Sequence, residues 1–249
     1  MRGNVKTIKL TTWLSLVLGI ITYAISVKGM FGVCECKLFP DTFLLTIFGG
    51  AFASMLVVLI CEISKYIQNR ESTESYLFSH LYYLYGQLQV MRKNISFLID
   101  HTDQIYKNAL SQLIANVEAE MNTVYYADYA PFRKDNLILI SKMNYNNKVF
   151  PTVQKFLQNC SMLEIAVLTD AINAKENGQK IDESTGSNAF AVLIKLSEQI
   201  QEPLSLIDEF LTKIDQSTQG RYNWQRVKED MVKGIPDNRT DMLEQFIGK

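Results

Sequence analysis

Hydrophobic positions along this chain follow two regimes. The first is unbroken: Leu10 to Val27 and Thr42 to Cys61 hold 18 and 20 consecutive residues without a charge. A helix rises about 1.5 Å per residue and a bilayer core is about 30 Å thick, so roughly 20 apolar residues make one crossing. The two runs predict a transmembrane helical hairpin. The first run exceeds the usual roughly 7–15 residues of a signal-peptide core, and no small-x-small cleavage site follows it, which favours a retained span.

The second regime begins after Cys61, where apolar residues recur at steps of three and four. Leu77, Leu81, Leu84, Leu88, Met91, Ile95 and Leu98, continued by Thr102, Ile105 and Ala109, form a heptad seam. This is the spacing of coiled-coil or bundle packing. Leu113, Val117, Met121 and Val124 extend it with steps of four, four and three, a stutter that locally unwinds a supercoil. Thr73 to Ala127 is therefore predicted as one helix, weakened at Gly86. No Gly or Pro interrupts Ala51 to Tyr85, so the second apolar run either passes into this helix without a break or stops near Ser72 or Thr73, both good N-cap types.

Beyond it, Pro131 biases Ala130 away from helical geometry and predicts a turn over Asp128–Asn136. Leu137–Met143 fits helix or strand, and Asn144, Asn146 and Asn147 predict a loop. Pro151 suits the first turn of a new helix, which carries Val153, Phe156, Leu157, Cys160, Leu163, Val167, Leu168, Ala171 and Ile172 on one face. Residues 176–187 read as a polar linker. A helix from about Asn188 to Gln216 follows, kinked by Pro203, then short helices at Trp224–Lys233 and Asp241–Ile247. The predicted fold class is all-α. An N-terminal two-helix transmembrane hairpin (residues 1–64) precedes a cytoplasmic α-helical domain (residues 65–249), in which a long heptad-bearing helix joins a helical bundle.

Charge changes this picture in two ways. The net charge is -1, but the first 41 residues carry Arg2, Lys6, Lys9, Lys28 and Lys37 against Glu35 and Asp41. The acidic balance of the remainder argues against bulk nucleic-acid binding, which needs a basic face. Arg2, Lys6 and Lys9 precede the first span and Lys65 and Arg70 follow the second, whereas the loop between holds Lys28 and Lys37. The positive-inside rule then places a multi-pass protein in the cell membrane with both termini cytoplasmic.

Candidate chemistry is sparse. His80 and His101 are three heptads apart, about 31 Å along one helix, too far to share a metal. No phosphate-binding loop occurs, and Cys160 reads as core rather than nucleophile. Cys34 and Cys36 would close a strained ring if bridged. Asp182-Glu183 and Glu229-Asp230 are adjacent, whereas acid–base catalysis needs carboxylates facing across a cleft. The expectation is no enzyme, no cofactor and no metal.

What the pattern does offer is packing. Gly49 with Ala53, and Gly50 with Ser54, are overlapping small-xxx-small pairs that let helices approach closely in lipid. Neither span holds an ionisable residue, which argues against a charge-relay transporter. The seam from Leu77 to Leu98 is a candidate oligomer contact. Tyr76, Phe78, Tyr82, Tyr83 and Tyr85 cluster soon after the second span. Arg221, Tyr222, Trp224 and Arg226 form the candidate contact for a cytoplasmic protein or small anionic ligand, since Arg and Trp are frequent interface anchors. The expected partners are the bilayer and further copies of the chain. The expected function is a domain that senses a ligand or partner and acts on the membrane hairpin, as a gated pore or antiviral-defence effector would. The alternative is a membrane-anchored coiled-coil scaffold or adaptor without pore activity.

Overall fold

The computed structural model describes residues 2–28, 41–100, 109–129, 132, 137–177 and 186–235. Every regular element among them is a helix: α1 (Arg2–Lys28), α2 (Asp41–Asp100), α3 (Ala109–Tyr126), α4 (Leu137–Asn144), a π-helical segment (Tyr145–Val149), α5 (Phe150–Glu176), α6 (Ser187–Gln199), α7 (Gln201–Ser217) and α8 (Trp224–Gly234). The chain divides into two compact units. One holds Met1–Thr73 with Asp128–Pro131, the other Glu74–Ala127 with Phe132–Lys249. Helix α2 contributes residues to both.

In the first unit, α1 and the start of α2 are long and apolar enough to cross a membrane over Val5–Ser26 and within Phe43–Asp100. Trp13, Ile20, Tyr23, Val57 and Ile60 are all exposed. The two helices meet where α1 has no side chain: a Cβ at Gly19 would stand 3.1 Å from the Phe52 ring. Thr11, Thr22 and Ser54 donate their hydroxyls to Thr7, Leu18 and Gly50 carbonyls of their own helices at 2.7–2.9 Å. These three hydroxyls are thus satisfied within their own helices.

The second unit is built on the seam. Leu77, Leu81, Leu84, Leu88, Met91 and Ile95 are fully buried, as are Leu113, Val117, Met121 and Val124 on α3. Two expectations are corrected here. The single helix over 73–127 is not formed. His80 Nδ1 lies 2.6 Å from Glu120 Oε2, whereas forty residues of continuous helix would separate them by about 60 Å. The chain reverses between α2 and α3, and each segment buries its apolar stripe inside the chain. A heptad pattern records which face is buried, not which way the next segment runs. The residues that would have carried the seam through the reversal, Thr102 and Ile105, lie outside the described residues. So do His101, Cys34, Cys36 and the 241–247 segment.

The loop predicted at Asn144–Asn147 is also absent. The chain runs from α4 through the π-helical turn directly into α5. The reason is tertiary. Tyr145 and Val149 are both buried, the Tyr145 hydroxyl donates to the Met121 carbonyl at 2.8 Å, and its ring packs edge-on to Phe210 at 5.7 Å. The wide turn lets these two side chains point inward while Asn147 stays in water. By contrast, Pro203 acts as its chemistry demands. It has no N–H for the Gln199 carbonyl, and the predicted long helix is broken at Ile200 into α6 and α7.

Helix α6 starts on a carboxylate supplied by α5. Asp170 accepts from the Asn188 and Ala189 backbone N–H groups at 3.3 and 2.9 Å and from Asn188 Nδ2 at 2.7 Å. The preceding Gly186 has no side chain of its own to cap with, and a Cβ there would sit 2.4 Å from the Asp170 carboxyl carbon. Glycine is needed for that close approach.

Candidate functional site

The polar and aromatic side chains of the second unit converge where α7 and α8 hold α2. The turn between α7 and α8 is left-handed at Gln219, Gly220 and Asn223, with φ of 57°, 76° and 47°. It is stabilised by one carboxylate. Asp215 accepts from the backbone N–H groups of Tyr222 and Trp224, each at 3.0 Å, and so caps the start of α8 from the preceding helix. Trp224 is the first residue of α8 and is directed inward, 2% exposed.

Trp224 then joins three helices. Its Nε1 donates to Asp208 Oδ1 of α7 at 2.7 Å. Its ring packs edge-on to Phe78 and Tyr85 of α2, with centroids 6.1 and 5.2 Å apart. Tyr222 stacks on Phe78 at 4.0 Å, nearly parallel at 9°. The second Asp208 oxygen accepts from Lys228 Nζ at 2.6 Å. Further along, Met231 lies where a Gly86 Cβ would make an ordinary 3.5 Å contact, and Lys93 donates to the Ile235 carbonyl just past α8. Phe78, Gly86 and Lys93 thus meet Tyr222, Met231 and Ile235 in the same chain order, so α8 runs parallel to α2.

Electrostatics favour this clamp in neutral solution. Partial burial alone would lower the Lys228 pKa, but the hydrogen bond and charge of Asp208 outweigh it and hold the ammonium above its ordinary 10.5. Burial raises the phenols of Tyr85 and Tyr222 above the ordinary value, only partly offset by neighbouring hydrogen bonds. Burial also pushes the Cys160 thiol up to about 12, which removes it as a nucleophile at neutral pH.

The sequence-predicted residues are distributed as follows. Of the tail group, Tyr222 and Trp224 are turned onto α2, so Trp224 offers an outside partner no surface. Arg221 and Arg226 are exposed, and Arg226 Nε lies 3.9 Å from Asp230 on its own helix. The proposed oligomer seam is corrected in role: Leu77 through Ile95 are closed inside the chain, and only Leu98 retains partial exposure. On α2, no atom comes within 4 Å of a Cβ built at Gly49 or Gly50, and Gly50, Ala53 and Ser54 are exposed. Close approach within the chain uses Gly19 instead.

Asp208 and Asp215 escaped sequence reading because isolated acids usually mean solvated surface. The signal was their seven-residue interval on one face of α7, matched by Trp224 and Lys228 four apart on α8. Among the described residues no group of His, Cys, Asp and Glu has the geometry of a metal site. A shallow notch of about 220 Å3 lies between α5 and the α6–α7 junction. Lys155 and Glu202 border it, and its floor is tied by Asn159 Nδ2 donating to Gln199 Oε1 at 2.8 Å. One cation and one anion there give a small anionic ligand no preference. No protein-family model, curated protein or solved structure matches this chain.

Proposed function

We propose that this chain is a non-enzymatic, oligomeric membrane protein. Its helical domain responds to a ligand or partner and acts through α2 on a two-helix membrane hairpin, as a gated pore or membrane-disrupting effector. The observation that carries this reading is the single helix α2. It bears the charge-free run Thr42–Cys61 at one end and the buried seam Leu77–Ile95 at the other, with no interruption over 60 residues. The clamp of α7 and α8 grips that second part. A displacement of α8 would act on the same helix that carries the apolar segment, the kind of helix shift that switches use.

The apolar residues of the hairpin support the membrane part of the reading, since the most apolar stretch of α2 has none of its residues buried within the chain. The basic residues flanking both spans support cytoplasmic termini. The small-residue face at Gly50, Ala53 and Ser54 supports contact between hairpins of different copies.

The test is ion or dye flux through liposomes containing the purified protein, with oligomer mass measured alongside. Flux from a defined oligomer is expected. Proline at both Tyr66 and Ile67 should abolish the response while leaving membrane insertion intact, because it interrupts the helix between span and seam. Unchanged flux in that variant would count against transmission through α2. A tight oligomer that conducts nothing, with or without its clamp, would favour the scaffold.

A further inference from the structure

The outward faces of α7 and α8 are polar. Helix α7 turns out Gln201, Ser205, Glu209 and Thr212, and α8 turns out Gln225, Arg226, Glu229 and Asp230. The second half of α5 departs from this. Met162, Ile165, Leu168 and Ile172 are 53%, 55%, 64% and 57% exposed. Their steps of three, three and four put them on one stripe. Ile165, Leu168 and Ile172 face away from Leu163, Ala166 and Asp170, on the side by which α5 meets α6, and Met162 borders the stripe. Aligned aliphatic side chains of this size expose on the order of a few hundred Å2, the scale at which an apolar patch marks a docking surface.

We propose that this stripe docks on the same stripe of a second copy of the chain, antiparallel, about a two-fold axis. The proposal deepens the oligomeric reading above and rests on it. Charge complementarity selects this occupant. Glu164 and Lys175 are both exposed and flank the stripe on one side: eleven residues at 100° each bring them within about 20° of the same azimuth. In an antiparallel two-fold pair a flank meets its own counterpart, residue i against residue j and j against i. The midpoint of Glu164 and Lys175 falls between 169 and 170, and that of Leu168 and Ile172 falls at 170. One axis therefore serves both pairs. Leu168 lies on Ile172 of the second copy. The Lys175 stem of the second copy covers Ile165, and its ammonium reaches Glu164.

A lipid surface fits the same face less well. Glu164, Asp170 and Glu176 outnumber Lys175 along this half-helix, whereas helices that lie on anionic membranes are rich in Lys and Arg. The stripe is smaller than the roughly 800 Å2 per partner of a standard interface. It acts together with the spans, which raise the local concentration of copies.

The test uses the full chain in detergent and in vesicles, as an equal mixture of ordinary and isotope-labelled protein, treated with a zero-length carbodiimide. Within one copy Glu164 and Lys175 are about 16 Å apart along α5, beyond direct linkage. A Glu164–Lys175 bond therefore reports contact between copies. Peptides joining ordinary to labelled chains are expected, and Leu168→Glu should lower their yield at least about tenfold, a loss of roughly 1.4 kcal/mol, with helix content and thermal midpoint unchanged. Glu164→Lys and Lys175→Glu should each weaken association, and mixing the two variants should restore it. Absence of the link, or a yield indifferent to Leu168→Glu, overturns the proposal. So does protection of Leu168→Cys from maleimide that tracks lipid content rather than protein density, which assigns the stripe to the bilayer surface. An oligomer that persists without the link removes this interface alone. A chain that stays monomeric at every density removes the oligomeric reading with it.

Discussion

Single residues decide how the helices are joined. Gly186 and Asp170 form one such joint, since the carboxylate that caps α6 occupies the space a side chain at 186 would need. Gly186→Ala is expected to destabilise by about 1–3 kcal/mol, the range for forced overpacking. Asp170→Ala should cost about 0.5–2 kcal/mol for the lost cap, and the double variant should lose less than the sum because the clash partner is gone. Urea unfolding of the three proteins measures this. Asp208, Lys228 and Tyr85 form another joint, and their pKa directions fix its pH dependence. A raised Lys228 pKa means stability fully present below the ordinary 10.5 and lost as pH climbs through the folded value. The raised Tyr85 phenol acts in the same direction, because the unfolded chain releases that proton first. The clamp should loosen above about pH 10, read as a red shift of Trp224 emission in a Trp13→Phe background, and Asp208→Asn should remove the Lys228 part. An emission spectrum constant to pH 11.5 would refute the role given to this network.

At the scale of the element, periodicity was a good guide to burial and a poor one to connectivity. Every apolar position from Leu77 to Ile95 that the heptad count marks is fully buried, yet the helix ends long before Ala127 and the seam closes on the chain itself. Pro203 was expected to kink one helix and instead accompanies a break at Ile200, and Pro151 lies in the first turn of α5 as expected, because proline acts on the backbone next to it. Asn144, Asn146 and Asn147 misled because loop preference is weak beside the burial of Tyr145 and Val149. Helix α2 offers a test of the same balance. Gly86 lies mid-helix, and a Cβ there makes only an ordinary contact with Met231. Gly86→Ala should therefore raise stability by about 0.5–1 kcal/mol through helix propensity. A thermal midpoint that falls would show that the α2–α8 contact is tighter than this spacing allows.

At the scale of the whole molecule, the proposed pore and the scaffold make opposite demands on the hairpin. Residues 1–64 exchanged for an unrelated two-span hairpin should abolish flux while the helical domain keeps its fold and its α5 contact, because only the native spans carry the small-residue face at Gly50, Ala53 and Ser54. Full activity with the foreign hairpin would reduce the spans to an anchor and favour the scaffold.

Much of the protein is written in local properties of the chain. Its helical class, the two runs long enough to cross a bilayer, the buried phase of α2 and the breaks at proline all follow from composition and spacing, which act over a few residues. The partners of each face do not. Reversal between α2 and α3 turned a candidate oligomer seam into a core, and a carboxylate seven residues from another turned the Trp224 group inward. The same folding left the apolar stripe of α5 from Met162 to Ile172 uncovered. Those outcomes depend on contacts between residues far apart in sequence, whose free energy exists only once the chain has closed.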